Sequence, residues 1–306
     1  MNSRSLFAFR RARFLAIGIA ALAVALVTVG CGSSNSGSST PSPKASAPLA
    51  ALLPASIRSM GTVTVPSSIE FPPFEYYQPG TTNATGLDVD IMNAIAQQLG
   101  TKFKFVNYKF ESIIPSLQNG RYQIAMSSMS DTTPREKQVD FVDYFVDGEQ
   151  IMVKAGNPDH INTFADLSGK PVALAVGDTD LSVEAAVNKQ LAAAGKPPMK
   201  GLVLPGTPQD LLAIDSGRAV ATIIDAASGA YDVKTTGKYQ MVGPITMTGP
   251  YGIDFPKGSK QFETAVQSAL NRIKANGTYQ QILSKWGESA GAIKNFTTNN
   301  AAAYGQ

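Results

Sequence analysis

"LQNGRYQIAMSSMSDTTPREKQVDF", residues 117–141, passes from a helical end through Gly120 and Arg121 into the strand-like run "YQIAM" (122–126). It then gathers five hydroxyls, Ser127, Ser128, Ser130, Thr132 and Thr133, ahead of one cation, Arg135. Thr133, Pro134, Arg135 and Glu136 fit N-cap, N1, N2 and N3 of a helix, and Thr-x-x-Glu is a capping box. A cation in the first turn faces the positive end of the helix dipole, the wrong sign unless an anion sits there. Glu136 is one such anion and a bound carboxylate is another. Both readings stand at this point.

A second stretch repeats the pattern. "AIDSGRAVATIIDAA" (213–227) also runs helix, Gly, Arg, strand, then small polar residues. A recurring αβ turn with glycine just past the helix explains the echo without function. Both strands nevertheless deliver polar residues at a carboxyl end, the edge where ligands sit in open parallel sheets. The first presents hydroxyls and Arg135, the second Asp225. A cation with hydroxyls facing an anion is a complementary set for a zwitterion.

Strand-like and helical periodicities alternate outward from these units. "TVTV" (62–65) precedes "DVDIMNAIAQQLG" (88–100), whose Ile91, Ile95 and Leu99 recur every fourth residue before Gly100. "KFKFV" (102–106), a helix over "ESIIPSLQNG", "PVALAV" (171–176), a helix from about 181 to 193, "PQDLLAIDSG" and "AVATII" (219–224) continue the series. Such alternation favours an α/β fold with largely parallel sheets. Asp88 and Asp90 read as residues that cap and charge the 88–99 helix.

The ends have a different character. Arg4, Arg10, Arg11 and Arg13 precede the apolar run 14–29 and "GCGSS", with Cys31 the only cysteine of the 306 residues. About sixteen apolar residues fall short of the roughly 20 a spanning helix needs, so residues 1–30 read as an export signal. Arg10-Arg11 leaves export by the general or the twin-arginine route undecided. Residues 31–56 start Gly/Ser/Pro-rich and read as a flexible tether; 289–306 reads as a polar tail. Removing the four signal arginines takes Lys+Arg from 26 to 22 against 23 acids. No basic patch argues for nucleic acid.

In order, "EFPPFEYYQ" (70–78), "TGLDVDIMNAIAQQLG" (85–100), residues 110–141, "DLSGKPVALAVGDT" (166–179), "GRAVATIIDA" (217–226) and "NGTYQQILSKWG" (276–287) resemble the extracytoplasmic amino-acid-binding proteins of ABC importers, solute-binding protein family 3. Cys31 resembles a lipobox cysteine, implying a lipid anchor on the outer face of the cell membrane. The resemblance implies a two-lobed periplasmic-binding-protein type II fold, each lobe a mostly parallel sheet flanked by helices, joined by two hinge strands. Lobe 1 would hold residues 57–146 and 250–288 and lobe 2 residues 147–249, with crossings near 145–149 and 247–251 and the final helix packed on lobe 1. A monomer delivering a polar amino acid to a permease and its ATPase is implied, with no cofactor.

The resemblance also implies ligand contacts. Arg135 matches the arginine that grips the α-carboxylate, Ser130 a hydroxyl on the same group, and Thr179 a backbone N–H donor to it. Asp225 matches the acid that takes the α-ammonium, and Ser128 a backbone contact to that group. Phe71 and Phe110 match aromatic positions flanking the ligand side chain. Taken alone, the two phenylalanines read equally as core, Thr179 and Asp180 as caps of the next helix, and Asp225 as a turn residue. Ser68 stands where basic-amino-acid binders of the family carry an acid, which argues against a basic ligand. Ala175 stands where a polar or basic residue is common, which argues against glutamine or glutamate. Asp178, Asp180 and Glu70 leave a cationic group open.

Related folds include a cyclohexadienyl dehydratase and ligand sensors. The sequence holds one histidine, His160, with no triad motif around it, and no His/Cys/Asp spacing of a metal site. A dehydratase would need a cleft acid, for which Glu70 is the candidate. The expectation is a binding protein.

Overall fold

The computed structural model describes residues 47–306; the export signal, Cys31 and the first part of the tether lie outside the described residues. In chain order come α1 (Ala55–Met60), β1 (Thr62–Ser67), β2 (Glu70–Phe71), β3 (Glu75–Tyr77), β4 (Ala84–Thr85), α2 (Leu87–Leu99), β5 (Lys102–Asn107), α3 (Ile113–Gln118) and α4 (Thr133–Glu136). Then follow β6 (Val139–Lys154), β7 (Pro171–Ala175), α5 (Asp180–Ala193), β8 (Lys200–Leu204), α6 (Thr207–Asp215), β9 (Ala221–Asp225), α7 (Ala226–Thr236), β10 (Tyr239–Pro256), α8 (Lys260–Ala275) and α9 (Thr278–Trp286).

Two hydrophobic cores form around two groups of strands. In the first, parallel β1 and β5 pack with α2, α8 and α9. Leu87, Ile91, Ile95 and Leu99 of α2 are completely buried there, each contributing about 1.5–3 kcal/mol of transfer free energy. Gly100 closes α2 in the left-handed conformation. The final helix α9 packs back on this core, where Tyr279 OH donates to Tyr144 O at 2.7 Å. The second core lies on the sheet β10-β6-β9-β7-β8 and is covered by α5. That sheet is mixed: β7 pairs in parallel with β8 and β9, whereas β6 pairs antiparallel with β9 and β10.

The long strands β6 and β10 belong to both cores. Tyr144, Phe145, Tyr251 and Ile253 enter the first core, and Ile151, Val153 and Val242 the second. Their register slips three times, between Val242 and Thr246, Thr246 and Gly249, and Tyr251 and Gly252.

Three local expectations differ from what forms. "YQIAM" (122–126) is not a strand; Ala125 and Asp254 exchange two 2.9 Å backbone bonds as an isolated bridge. The edge of β10 is contacted there at a single pair. At α4 the N-cap is Thr132, with no side-chain cap. The capping box is absent because Thr133 Oγ1 donates to Gln306 O (2.6 Å) and Glu136 Oε1 accepts from Ala301 N–H (2.9 Å). The end of the stretch read as tether packs as well. Leu49 N–H donates to Gln98 O (2.9 Å), Leu49 packs against the first core, and Leu53 is buried in it, next to Ile57 of α1.

The polar tail also docks. Thr297 Oγ1 donates to Asp143 Oδ2 (2.7 Å), Asn300 N–H to Asp131 Oδ2 (2.9 Å) and Gln306 Nε2 to Thr248 O (3.2 Å). Deleting residues 297–306 leaves these buried carboxyls without donors, at about 1–3 kcal/mol each. The expected drop in melting temperature, read by differential scanning calorimetry, is about 5 °C or more.

Candidate functional site

A cavity of about 40 Å³ lies where the two groups of strands meet. The side of the first core supplies Ser68, Phe71 and Glu75 from β1–β3, Phe110, and the Ser127-Ser128 corner. The other side supplies Ala175, Val176 and Asp178 after β7, Gly206 before α6, and Asp225 at the end of β9. A wider cleft of about 750 Å³ shares Ser68, Glu70, Phe110, Val176 and Pro205 with it. Both carboxyl ends singled out in the sequence therefore reach one place.

Bonds across the gap draw the two sides together. Arg135 Nη1 donates to Ser130 O (2.8 Å) on its own side and Nη2 to Gly177 O (3.0 Å) on the other. Ser228 Oγ donates to Pro72 O at 2.8 Å. Gly177 adopts φ +82°, and an added Cβ would sit 3.0 Å from Glu111 Cβ, so a side chain there would both strain the turn and press on the opposite side.

The structure brings Ser68, Phe71, Phe110, Ser128 and Asp225 to the cavity wall. Arg135 is buried behind that wall, its guanidinium 5.6 Å from the Phe110 ring centre. Ser130 stands beside it, its backbone bridged to Tyr251. Thr179 sits at the start of α5. Its N–H donates to Asp178 Oδ1 (2.7 Å) and its hydroxyl to Glu149 Oε1 (2.6 Å). Asp180 is nearly enclosed and accepts from Ala175 N–H (2.6 Å), closing the turn between β7 and α5.

Several site groups were not singled out from the sequence. Glu75 is fully buried and accepts from Ser127 Oγ and Ser128 Oγ, both at 3.0 Å. Asp88 accepts from Ser128 N–H (3.1 Å) and Tyr144 OH (2.7 Å), while Asp90 holds Lys285 and Trp286 at 2.6 and 2.8 Å. Both aspartates thus make tertiary bonds rather than capping α2. Ser128 carries φ +48°, unusual for a side-chain-bearing residue, and such strain of about 1–3 kcal/mol collects at functional sites. Opposite, Glu149, Asp178 and Asp225 each present an oxygen within 4.8 Å of the others. Tyr251 OH donates to Asp225 Oδ1 and, at 3.3 Å, to Asp147.

Burial governs the titration of these acids. Desolvation, then the charge of Asp88, pushes Glu75 well up; desolvation, then Asp178, does the same to Glu149; desolvation, then Glu149, to Asp225. Asp88 and Asp147 rise by desolvation to about 6, and Asp180 by desolvation and Asp178 to about 9. A raised carboxyl binds its proton more tightly folded than unfolded. Its contribution is complete below the ordinary value of 3.8 and is lost as pH rises through the folded value. The melting temperature of the ligand-free chain is therefore expected to fall between pH 5 and pH 9. A steady rise across that window in scanning calorimetry would contradict these assignments.

Two α/β bodies sharing two long strands, with the cleft between them, form the two-lobed type II architecture of periplasmic binding proteins. Residues 63–289 match the family model of bacterial extracellular solute-binding proteins, family 3, and the chain belongs to that family. The arginine-binding protein ArgT of Corynebacterium glutamicum is 27% identical over 249 residues, 80% of each chain. An ancestral arginine-binding protein, solved with arginine and with glutamine, is 34% identical with a TM-score of 0.67, covering 74% of this chain and 98% of its own. An ancestral amino-acid-binding protein described as a precursor of cyclohexadienyl dehydratase is 31% identical with a TM-score of 0.68, covering 76% and 97%.

Proposed function

We propose that the chain captures a polar amino acid, or a close analogue, between its lobes and delivers it to the permease and ATPase of an ABC importer. The observation that carries this reading is the convergence of Asp225 from one lobe with Ser128, Phe71 and Phe110 from the other on one cavity, beside the interlobe Arg135. Relatives named for arginine binding support the ligand class.

In this reading the α-carboxylate takes a forked pair from Arg135, which lysine could not copy, with Ser130 beside it and the Thr179 N–H joining once it leaves Asp178 Oδ1. The α-ammonium meets Asp225 and Ser128, and Phe71 and Phe110 flank the side chain. Each ligand charge leaving water costs several kcal/mol unless paired. Partners drawn from both lobes are complete only on closure, so ligand favours the closed form through differential contacts. Lipidation at Cys31 would tether the protein to the outer face of the membrane; no helix among the described residues is long and apolar enough to cross it.

A thermal-shift screen against the twenty amino acids, opines and compatible solutes tests the reading, since a ligand of the native state raises the melting temperature by mass action. No shift with any of them overturns it. The likeness to a dehydratase precursor supports a second reading, catalysis in the same cleft with Glu70 as acid. An aromatic product formed from a cyclohexadienyl acid would establish it and displace pure binding.

A further inference from the structure

The cavity wall carries acidic side chains and no basic one. Glu70, Glu75, Asp178 and Asp225 line it, and no Lys, Arg or His is among the described lining residues. Arg135, the cation closest in role, holds two backbone carbonyls. Glu149 stands behind Asp178 and Asp225. It is 2% exposed, and its Oε2 has no hydrogen-bond partner. Thr179 supplies its hydroxyl and its backbone N–H to this group and Tyr251 a second hydroxyl, so three carboxyls meet fewer donors than they can accept. An unpartnered buried acceptor is costly, and like charges within a few ångströms repel strongly at low dielectric.

A neutral zwitterion does not answer this lining, because its carboxylate adds a negative charge for each positive one. We propose that the ligand carries a net positive charge, an amino acid with a cationic side chain, and that the Glu149–Asp178–Asp225 cluster seats one of its two cationic groups. This rests on amino-acid capture as the function and names its substrate class. An ammonium has three N–H donors and no acceptor, and the cluster offers three oxygens within 4.8 Å of one another. Glu70 serves the second cation. It lines both the inner cavity and the outer cleft, is exposed at the mouth, and makes no side-chain hydrogen bond among the described residues. A Cβ at residue 206 would lie 2.6 Å from Glu70 Oε1, so Gly206 leaves that carboxylate room against the opposite lobe. These acids answer the objection raised by Ser68: the negative charge comes from other positions.

The test is calorimetric titration of the full chain with two near-isosteric pairs, arginine against citrulline and lysine against norleucine. The cationic member is expected to bind about 100-fold more tightly. A ratio below tenfold in both pairs overturns the charge assignment while leaving amino-acid capture standing; no binding by any of the four, or by any amino acid in the thermal-shift screen, overturns both. Glu70→Gln is expected to narrow the arginine-to-citrulline ratio about tenfold, whereas Glu149→Gln, or Asp178→Asn at a less buried position if the first does not fold, is expected to weaken arginine and citrulline alike by about tenfold or more. An unchanged ratio in the Glu70 variant contradicts its role, and parental affinity for both ligands in a folded cluster variant contradicts the cluster's. Saturable stabilisation by millimolar calcium or magnesium that blocks arginine would assign the cluster to a metal ion and overturn the proposal.

Discussion

Asp225→Asn is expected to weaken amino-acid binding about 100- to 4,000-fold while the far-ultraviolet circular dichroism stays that of the parent chain. Removing one partner of a buried charge pair costs about 3–5 kcal/mol, and each 1.4 kcal/mol is tenfold in affinity. The asparagine keeps an acceptor for Tyr251 OH, so the Tyr251 contact beneath the cleft survives and only the charge is lost. Arg135→Ala is expected to reach a similar loss by two routes. It takes away the carboxylate's fork, and it removes the bond to Gly177 O that ties the lobes. Titration of both variants with the tightest ligand of the parent decides the matter; parental affinity in both would mean that the ligand sits elsewhere.

Gly86→Ala is expected to cost about 3–5 kcal/mol, at the high end for single substitutions, and to lower the melting temperature by about 10 °C or more. Gly86 adopts φ +136°, and a Cβ there would lie 1.8 Å from the carbonyl oxygen of Phe74. The obstacle is backbone, which cannot swing aside. The same close approach lets Leu87 N–H reach Pro73 O and Asp88 N–H reach Phe74 O, both at 3.0 Å. It thereby sets Asp88 and Glu75 under Ser128. Gly195→Ala is the matched control, with a similar need for positive φ (+67°) but open space around it. Only about 1 kcal/mol is expected there. Equal melting temperatures for the two alanine variants would refute the packing explanation.

The alternation of strand and helix was legible because periods of two and four residues report which face is buried. Ser128 and Asp225 were legible as a facing pair, although only Asp225 ends a strand; the run before Ser128 makes a single bridge to β10. The Glu149–Asp178–Asp225 cluster was not. Its members come from the middle of β6, the turn after β7 and the end of β9, so no local spacing announces them. Glu149 also sits in a strand whose neighbours are mostly buried on both faces, where alternation carries little information. The tail was misleading for a related reason. Thr297, Asn300 and Gln306 dock by hydrogen bonds to buried carboxyls and backbone, and Ile293 and Phe296, which enter the first core, are too few and too isolated to show an apolar period. Arg135 shows the remaining limit: its residue type and helix start were readable, but its two backbone acceptors on opposite lobes depend on tertiary geometry.

A crystal structure of the chain with its tightest-binding amino acid tests most directly whether opposite charges on separate lobes clasp one ligand. The expected result is an ammonium nitrogen within about 3 Å of the Asp225 carboxylate and the α-carboxylate within the same reach of the Arg135 guanidinium. A ligand bound outside the cleft, or one held in it with neither contact, would contradict the account.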